Sequence, residues 1–399
     1  MDPSLTTHCL RFHTVISLLT PKTMSLSRIF VRVFSTSVES DSTPTMRSIS
    51  GHLYKDRSLK QLVQKFKKSS EFKLFRTKIK IYKRTVHRLA SAKCFNWIEE
   101  ILEHQKKYED MSKEGFSVRL INLYGRSGMF EHAQKVFDEM HERKCAHTVL
   151  SLNALLGAGL KSKKFDLVGG LFKELPKKLS IEPDLISYNM VIKAFCEMGS
   201  FDLAISMLDE MEKKGLEPDL ITFKTLLHGL YGKCQFSDGE KIWDRMKKKN
   251  VVLDDRSYNA KLLGLALEKK TKEAVELVEE MKSKGVKPNL FSFNAVIKGF
   301  VNEGNLEEAK LWYNKIGQSS LAPDRMIFNM LIPFFCEKGE VDLAFNLCKE
   351  ILKRKFVVDV SLLQLVVDGL VKESKMEEAK KLVELGKFNM HARYTTPLF

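Results

Sequence analysis

No run of about eighteen apolar residues, the length a bilayer-spanning helix needs, occurs in this 399-residue sequence. It also has no C-x-x-C pair and only ten prolines. The first absence argues against a membrane-embedded chain. The seven cysteines, Cys9, Cys94, Cys145, Cys196, Cys234, Cys336 and Cys348, are scattered without histidines at zinc spacing, so they read as small apolar side chains in a reduced compartment. The phosphate-binding loop G-x-x-x-x-G-K and the zinc motif H-E-x-x-H are both missing. His141-Glu142 is followed by Cys145, but nothing nearby supplies the remaining ligands of a deaminase-type zinc site. Acidic pairs such as Glu307-Glu308 and Glu377-Glu378 open helices, where the dipole favours them. Neither catalysis nor a cofactor, a metal, a small-molecule substrate or a membrane is expected.

Positive charge is plentiful but unevenly placed. The net charge is +16. Residues 55 to 93 hold fourteen Lys or Arg against Asp56 and Glu71, a net of +12, whereas residues 114 to 399 carry 44 basic and 40 acidic residues, a net of +4. A polyanion should therefore be attracted mainly to the front of the chain, where Lys65, Lys67, Lys68, Lys73, Arg76, Lys78, Lys80, Lys83, Arg84 and Arg88 form a basic patch. Within it, Leu59, Leu62, Val63, Phe66, Phe72 and Phe75 alternate with the charges. The segment 55–78 reads as a basic helical element, either an arm for folded RNA or a ribosome surface, or a solvated cap on the helices C-terminal to it.

Ahead of this segment no acid occurs between Asp2 and Glu39, while Arg11, Lys22, Arg28 and Arg32 are interspersed with Ser, Thr and bulky apolar residues. Residues 1–34 thus have the composition of a mitochondrial transit peptide, with a cleavage expected between Phe34 and Ser35 and a plastid address as the alternative. Residues 35–54, rich in Ser and Thr, read as a linker.

The chain repeats itself every 35 residues. Small residues fall in one column, Ala133, Ala204, Gly239, Ala274, Ala309, Ala344 and Ala379, with Val168 the exception. Seven positions on runs Met140, Leu175, Met211, Met246, Met281, Ile316 and Ile351, and near the unit ends Pro183, Pro218, Pro288 and Pro323. Eight units span 114–394, beginning at 114, 149, 185, 220, 255, 290, 325 and 360; a degenerate one precedes them at 79–113 and a tail, 395–399, comes after. In the unit 185–219, Tyr188, Val191, Ile192 and Phe195 lie on one helical face, Gly199 permits a turn, and Phe201, Ala204, Ile205, Leu208 and Met211 form the face of a second helix. Neither helix buries its face alone, so the units must stack into an all-α, right-handed α-solenoid of helix-turn-helix repeats.

Tyr188-Asn189-Met190-Val191-Ile192, Phe201-Asp202-Leu203-Ala204, Gly215 and Glu217-Pro218-Asp219 resemble the pentatricopeptide repeat, as do Phe293-Asn294-Ala295-Val296-Ile297 and Ala322-Pro323-Asp324. The resemblance covers residues 79 to 394. It implies single-stranded RNA as ligand, read at about one base per unit by the fifth and last residues. The implied pairs are Asn153 with Asp184, Asn189 with Asp219, Lys224 with Asp254, Asn259 with Asn289, Asn294 with Asp324, and Asn329 with Asp359. The second residues, Leu150, Ile186, Ile221, Arg256, Phe291 and Met326, would pack on base faces. In the family's code these pairs imply U-U-any-C-U-U. The same Asp and Asn residues also suit helix capping without any RNA. Position 13, often basic in the family to meet phosphate, is basic only at Arg126, Lys161 and Lys372, so the central groove is expected to grip weakly. Short plant members similar to this chain, without the editing or nuclease extensions, include mitochondrial RNA-processing factors and components of the mitochondrial ribosome. The expected partners are accordingly RNA in the matrix, single-stranded or ribosomal, with mitochondrial ribosomal proteins in the second case.

Overall fold

The computed structural model describes Leu53, Lys55 and residues 57 to 394, with side chains through Lys387. The transit-peptide segment, nearly all of the linker and the tail lie outside the described residues. Those described form twenty α-helices and no strand.

From residue 114 onward the helices come in pairs. The first helices are Glu114–Arg126, Val149–Lys161, Leu185–Met198, Leu220–Gly232, Asp255–Leu267, Leu290–Glu303, Arg325–Glu337 and Val360–Lys372. Each is followed by a second helix, such as Phe201–Lys213 or Leu306–Gln318. The first helices pack on one another from unit to unit, whereas the second helices mostly touch the first helices of their own and the next unit. Close spacing on one side and wide spacing on the other curve the stack, with the first helices lining its concave face. The core runs through three abutting clusters, from Leu53 to Ala158, from Leu152 to Met211 and from Ile192 to Leu382.

Among the described residues, the seven units from 114 to 359 turn twice through the left-handed region and the unit from 360 once. Between the two helices of each unit the residue with positive φ is Gly128, Gly199, Gly304 or Gly339 in four units, and Lys163, Cys234, Lys269 or Ser374 in the others. Lys93 occupies the same place in the unit at 79, so that degenerate unit keeps the repeat's turn between its helices. A side chain with a Cβ is strained there, and it persists because the paired helices fix the turn.

The small-residue column is the point of closest approach. Ala133, Ala204, Ala274, Ala309 and Ala344 are wholly buried. At Gly239 a methyl would lie 2.6 Å from the Tyr231 ring, so glycine is required where tyrosine fills the facing position. Val168, the exception, is matched from the other side: a methyl on Gly159 would lie 2.7 Å from Val168 Cγ2.

The front departs from the repeat. The second helix of the unit at 79 stops at Glu103 and continues as two 3₁₀ turns, His104–Lys107 and Glu109–Ser112. Ahead of it, Leu59–Ser69 and Lys73–Arg76 fold onto the solenoid end. Leu62, Val63, Phe66 and Phe75 are buried, and Phe66 meets the Phe75 and Tyr82 rings edge-on at 5.2 and 4.9 Å. Leu53, placed in the linker on composition, is buried in the same cluster.

Candidate nucleic-acid interface

Along the concave face the last residue of one unit is the N-cap of the next first helix. Asp184, Asp219 and Asp254 accept from the backbone N–H of Ser187, Thr222 and Ser257 at 2.9, 2.8 and 2.9 Å, Asn289 from Ser292 at 3.2 Å and Asp324 from Ile327 at 3.1 Å. Asp359 accepts from Ser361 at 3.3 Å. The same side chains meet the fifth residue of their own unit. Asn153 Nδ2 donates to Asp184 at 3.0 Å, Asn189 to Asp219 at 3.2 Å, Asn259 to Asn289 at 3.3 Å and Asn294 to Asp324 at 3.2 Å. Lys224 forms an ion pair with Asp254 at 2.9 Å. The sixth pair is not brought together: Asn329 and Asp359 are both exposed and share no hydrogen bond among the described residues.

A third residue, not singled out by sequence, completes the arrangement. The hydroxyl of Ser187 donates to Asn153 Oδ1 at 2.6 Å, Thr222 to Asn189 at 2.6 Å and Ser292 to Asn259 at 2.7 Å. The amide is thus held from two sides, with one Nδ2 hydrogen and one oxygen lone pair left over. The recurring Ser or Thr at the third position was the available signal; it also reads as the second half of a capping box. Burial alone would raise the Asp184 and Asp219 carboxyls. The donors around them, Asn153 with Ser187 and Thr222 with Asn189, outweigh it and hold both below the usual carboxylate range. At Asp254 the opposing group is chiefly Lys224.

Flanking these pairs, the second residues stand out from the surface. Leu150, Ile186, Ile221, Phe291 and Met326 are 44 to 60% exposed, unusual for a row of large apolar side chains, and Arg256 takes their place in one unit. The result is a line of polar edges set between apolar flats, which suits bases stacked side by side with their edges turned in.

Charge gathers at two places on this face. Between the units at 185, 220 and 255 a cleft of about 540 Å³ is lined by Lys193, Lys224, His228, Lys233 and Arg256, with Glu197 and Ile221. The centre therefore carries more positive charge than position 13 alone indicated, because Lys193 at position 9, Lys233 at position 14 and Arg256 at position 2 line the same cleft. At the front, Lys80, Lys83, Arg84, His87 and Arg126 line a second cleft of about 430 Å³. Lys161 lies nearby: its ammonium is pushed down by lost hydration and by the charges of Arg126 and Lys83. Lys80, Lys83 and Arg126 have no acidic partner among the described residues.

Other members of the basic patch are engaged elsewhere. Arg76 is an internal strut, bonded to Asp110 at 2.6 Å and to the carbonyls of Ser70 and Glu71, with Tyr108 below it at 4.1 Å. Lys67 pairs with Glu100 at 2.9 Å, and the Arg88 guanidinium donates to the Arg57 carbonyl at 3.3 Å. Lys65, Lys68, Lys73 and Lys78 lie in the two front helices and the turn after them.

Family models described as PPR repeat match residues 119–145, 221–251 and 291–321, one described as PPR repeat family matches 183–232, and one described as pentatricopeptide repeat domain matches 241–303. The chain carries pentatricopeptide repeats over residues 119–145 and 183–321. It is 62% identical over 160 residues to small ribosomal subunit protein mS79 (rPPR3b) of Arabidopsis thaliana, covering 40% of this chain and 41% of that one. It is 55% identical over 180 residues to small ribosomal subunit protein mS78 (rPPR3a) of the same plant, 45% of each chain. A mitochondrial pentatricopeptide repeat-containing protein of Arabidopsis thaliana is 43% identical over 132 residues, 33% of this chain and 32% of that one. The match thus spans less than half the length of each of these relatives. The crystal structure of the pentatricopeptide repeat protein PPR10 from maize superposes with a TM-score of 0.54 over 87% of this chain and 49% of that one, at 23% identity, which gives the same repeat fold.

Proposed function

We propose that this protein binds RNA along its concave face and works in the small subunit of the mitochondrial ribosome. RNA binding rests on one observation above the rest: amide and carboxylate edges recur at the repeat's own spacing between exposed apolar side chains, a periodicity that matches a strand read one base per unit. The two relatives named as small ribosomal subunit proteins support the ribosomal setting, and the relative named as mitochondrial supports the compartment. The protein acts here by binding and carries no reaction of its own.

A second reading, a free mitochondrial factor for RNA processing, stability or translation, is favoured by the readable pairs, whose implied preference is U-U-any-C-U-U. Sedimentation of the tagged protein from a mitochondrial lysate, with and without ribonuclease, separates the two. Co-migration with the small subunit is expected. Confinement to low-mass fractions would remove the ribosomal role and leave the free factor.

A further inference from the structure

Among the four asparagines paired across the groove, one is held differently. Asn153, Asn189 and Asn259 each accept a hydroxyl hydrogen bond on Oδ1 from Ser187, Thr222 or Ser292. The residue in that place beyond Asn294 is Ile327, and Asn294 Oδ1 is buried without a hydrogen-bond partner among the described residues. Only 7% of Asn294 is exposed, and its Oδ1 is out of contact with bulk solvent. Turning the amide over is no remedy, because it would set the oxygen against the Asp324 carboxylate that now accepts from Nδ2 at 3.2 Å. The Nδ2 group also lies 3.8 Å from the Met326 sulfur, so the amide sits directly beneath an exposed second-position side chain, with Phe291 one helical turn back on the same face.

We propose that Asn294 is the most selective nucleotide-reading position of the groove, and that Ile327 makes it so by leaving the amide oxygen unpaired until the N–H edge of a base reaches it. This deepens the RNA-binding reading above and rests on it. A base entering between Phe291 and Met326 meets a side chain with nothing to lose by rotating outward on its oxygen side. Uracil, whose ring N–H lies beside a carbonyl, satisfies both ends of the amide. In the other three units the base adds a bond to an oxygen already satisfied, or displaces a hydroxyl. Rescuing a buried unpaired acceptor gains more than exchanging one partner for another.

The test uses the full chain and the RNA U-U-A-C-U-U, with N3-methyluridine replacing one uridine at a time so that a single N–H donor is removed. In the family's register the fifth nucleotide faces Asn294, and the first and second face Asn153 and Asn189. Methylation at the fifth position is expected to lower affinity about tenfold more than at the first or second. Ile327→Thr, which supplies the hydroxyl in place of the ethyl group, is expected to bring the fifth-position penalty down to that of the others. Ile327→Val, matched in shape but without the hydroxyl, should leave it high, separating the lost donor from the bulk of the methyl. Equal penalties at the three positions, or identical behaviour of the Thr and Val variants, would overturn the proposal with RNA binding intact. Equal affinity for U-U-A-C-U-U and a scrambled RNA would instead bring down base reading altogether, and this proposal with it.

Discussion

Asp184, Asp219 and Asp254 each carry two tasks at once, holding the next helix start and holding the fifth residue of their own unit, so capping is compatible with the proposed base reading. The cap contributes about 1 kcal/mol in general, and removing it here also strands a hydroxyl and an amide. Asp219→Ala is therefore expected to cost about 1–2 kcal/mol locally, read as faster amide hydrogen exchange at Thr222 and Phe223. Asp219→Asn should largely spare it, because Asn289 already performs the same capping. Unchanged exchange in the Ala variant would mean that packing alone fixes the helix start. The lowered carboxyls also set a sign with pH. Their folded values lie below the unfolded value of about 3.9, so the stability they add is fully present above that value. It is lost as pH falls through the lower, folded values. A thermal titration from pH 6 to 3 should show this loss, and the triple Asp→Asn variant at 184, 219 and 254 should flatten it.

Between elements, the first helices of the units at 114 and 149 approach each other backbone to backbone. A methyl on Gly125 would lie 2.5 Å from Ala158 Cα, a backbone atom that cannot turn aside. Gly125→Ala should force the helices apart and cost about 1–3 kcal/mol, visible as a lower urea midpoint, whereas Gly170→Ala, with nothing within 4 Å, should leave the midpoint unchanged or raise it. Such spacing explains what sequence could reveal. The solenoid was legible because its close approach demands a small residue every 35 positions, and periodicity survives even at Val168, where Gly159 makes room. The recurrent Asn, Asp and apolar groove positions were legible for the same reason. What escaped depends on partners far apart in sequence. Arg76 counted as surface charge until the fold set Asp110 and Tyr108 around it. The hydroxyls that hold Asn153, Asn189 and Asn259 belong to the following unit, and a capping box explains them equally well from sequence. The 3₁₀ turns after Glu103 leave no periodic trace at all.

Taken as one body, the solenoid has a cationic front and a nearly balanced remainder, and along the groove these serve different purposes. Base-edge contacts discriminate but contribute little sequence-independent affinity, whereas each phosphate met by a cation releases a counterion and makes binding depend on salt. Lys83 and Arg126 face one cleft from adjacent first helices without acidic partners among the described residues, and Lys161 feels both charges. This cluster is placed to hold backbone beside the first readable unit. Neutralising Lys83→Gln and Arg126→Gln together should weaken binding of both U-U-A-C-U-U and its scrambled counterpart. It should also reduce the slope of log affinity against log salt by about 1.4, at about 0.7 per single-strand phosphate contact. The ratio between the two RNAs should stay the same, because the amide and carboxylate pairs are untouched. An unchanged slope would remove the front cleft from the RNA path, and a changed ratio would show that the cluster reads bases as well as phosphate.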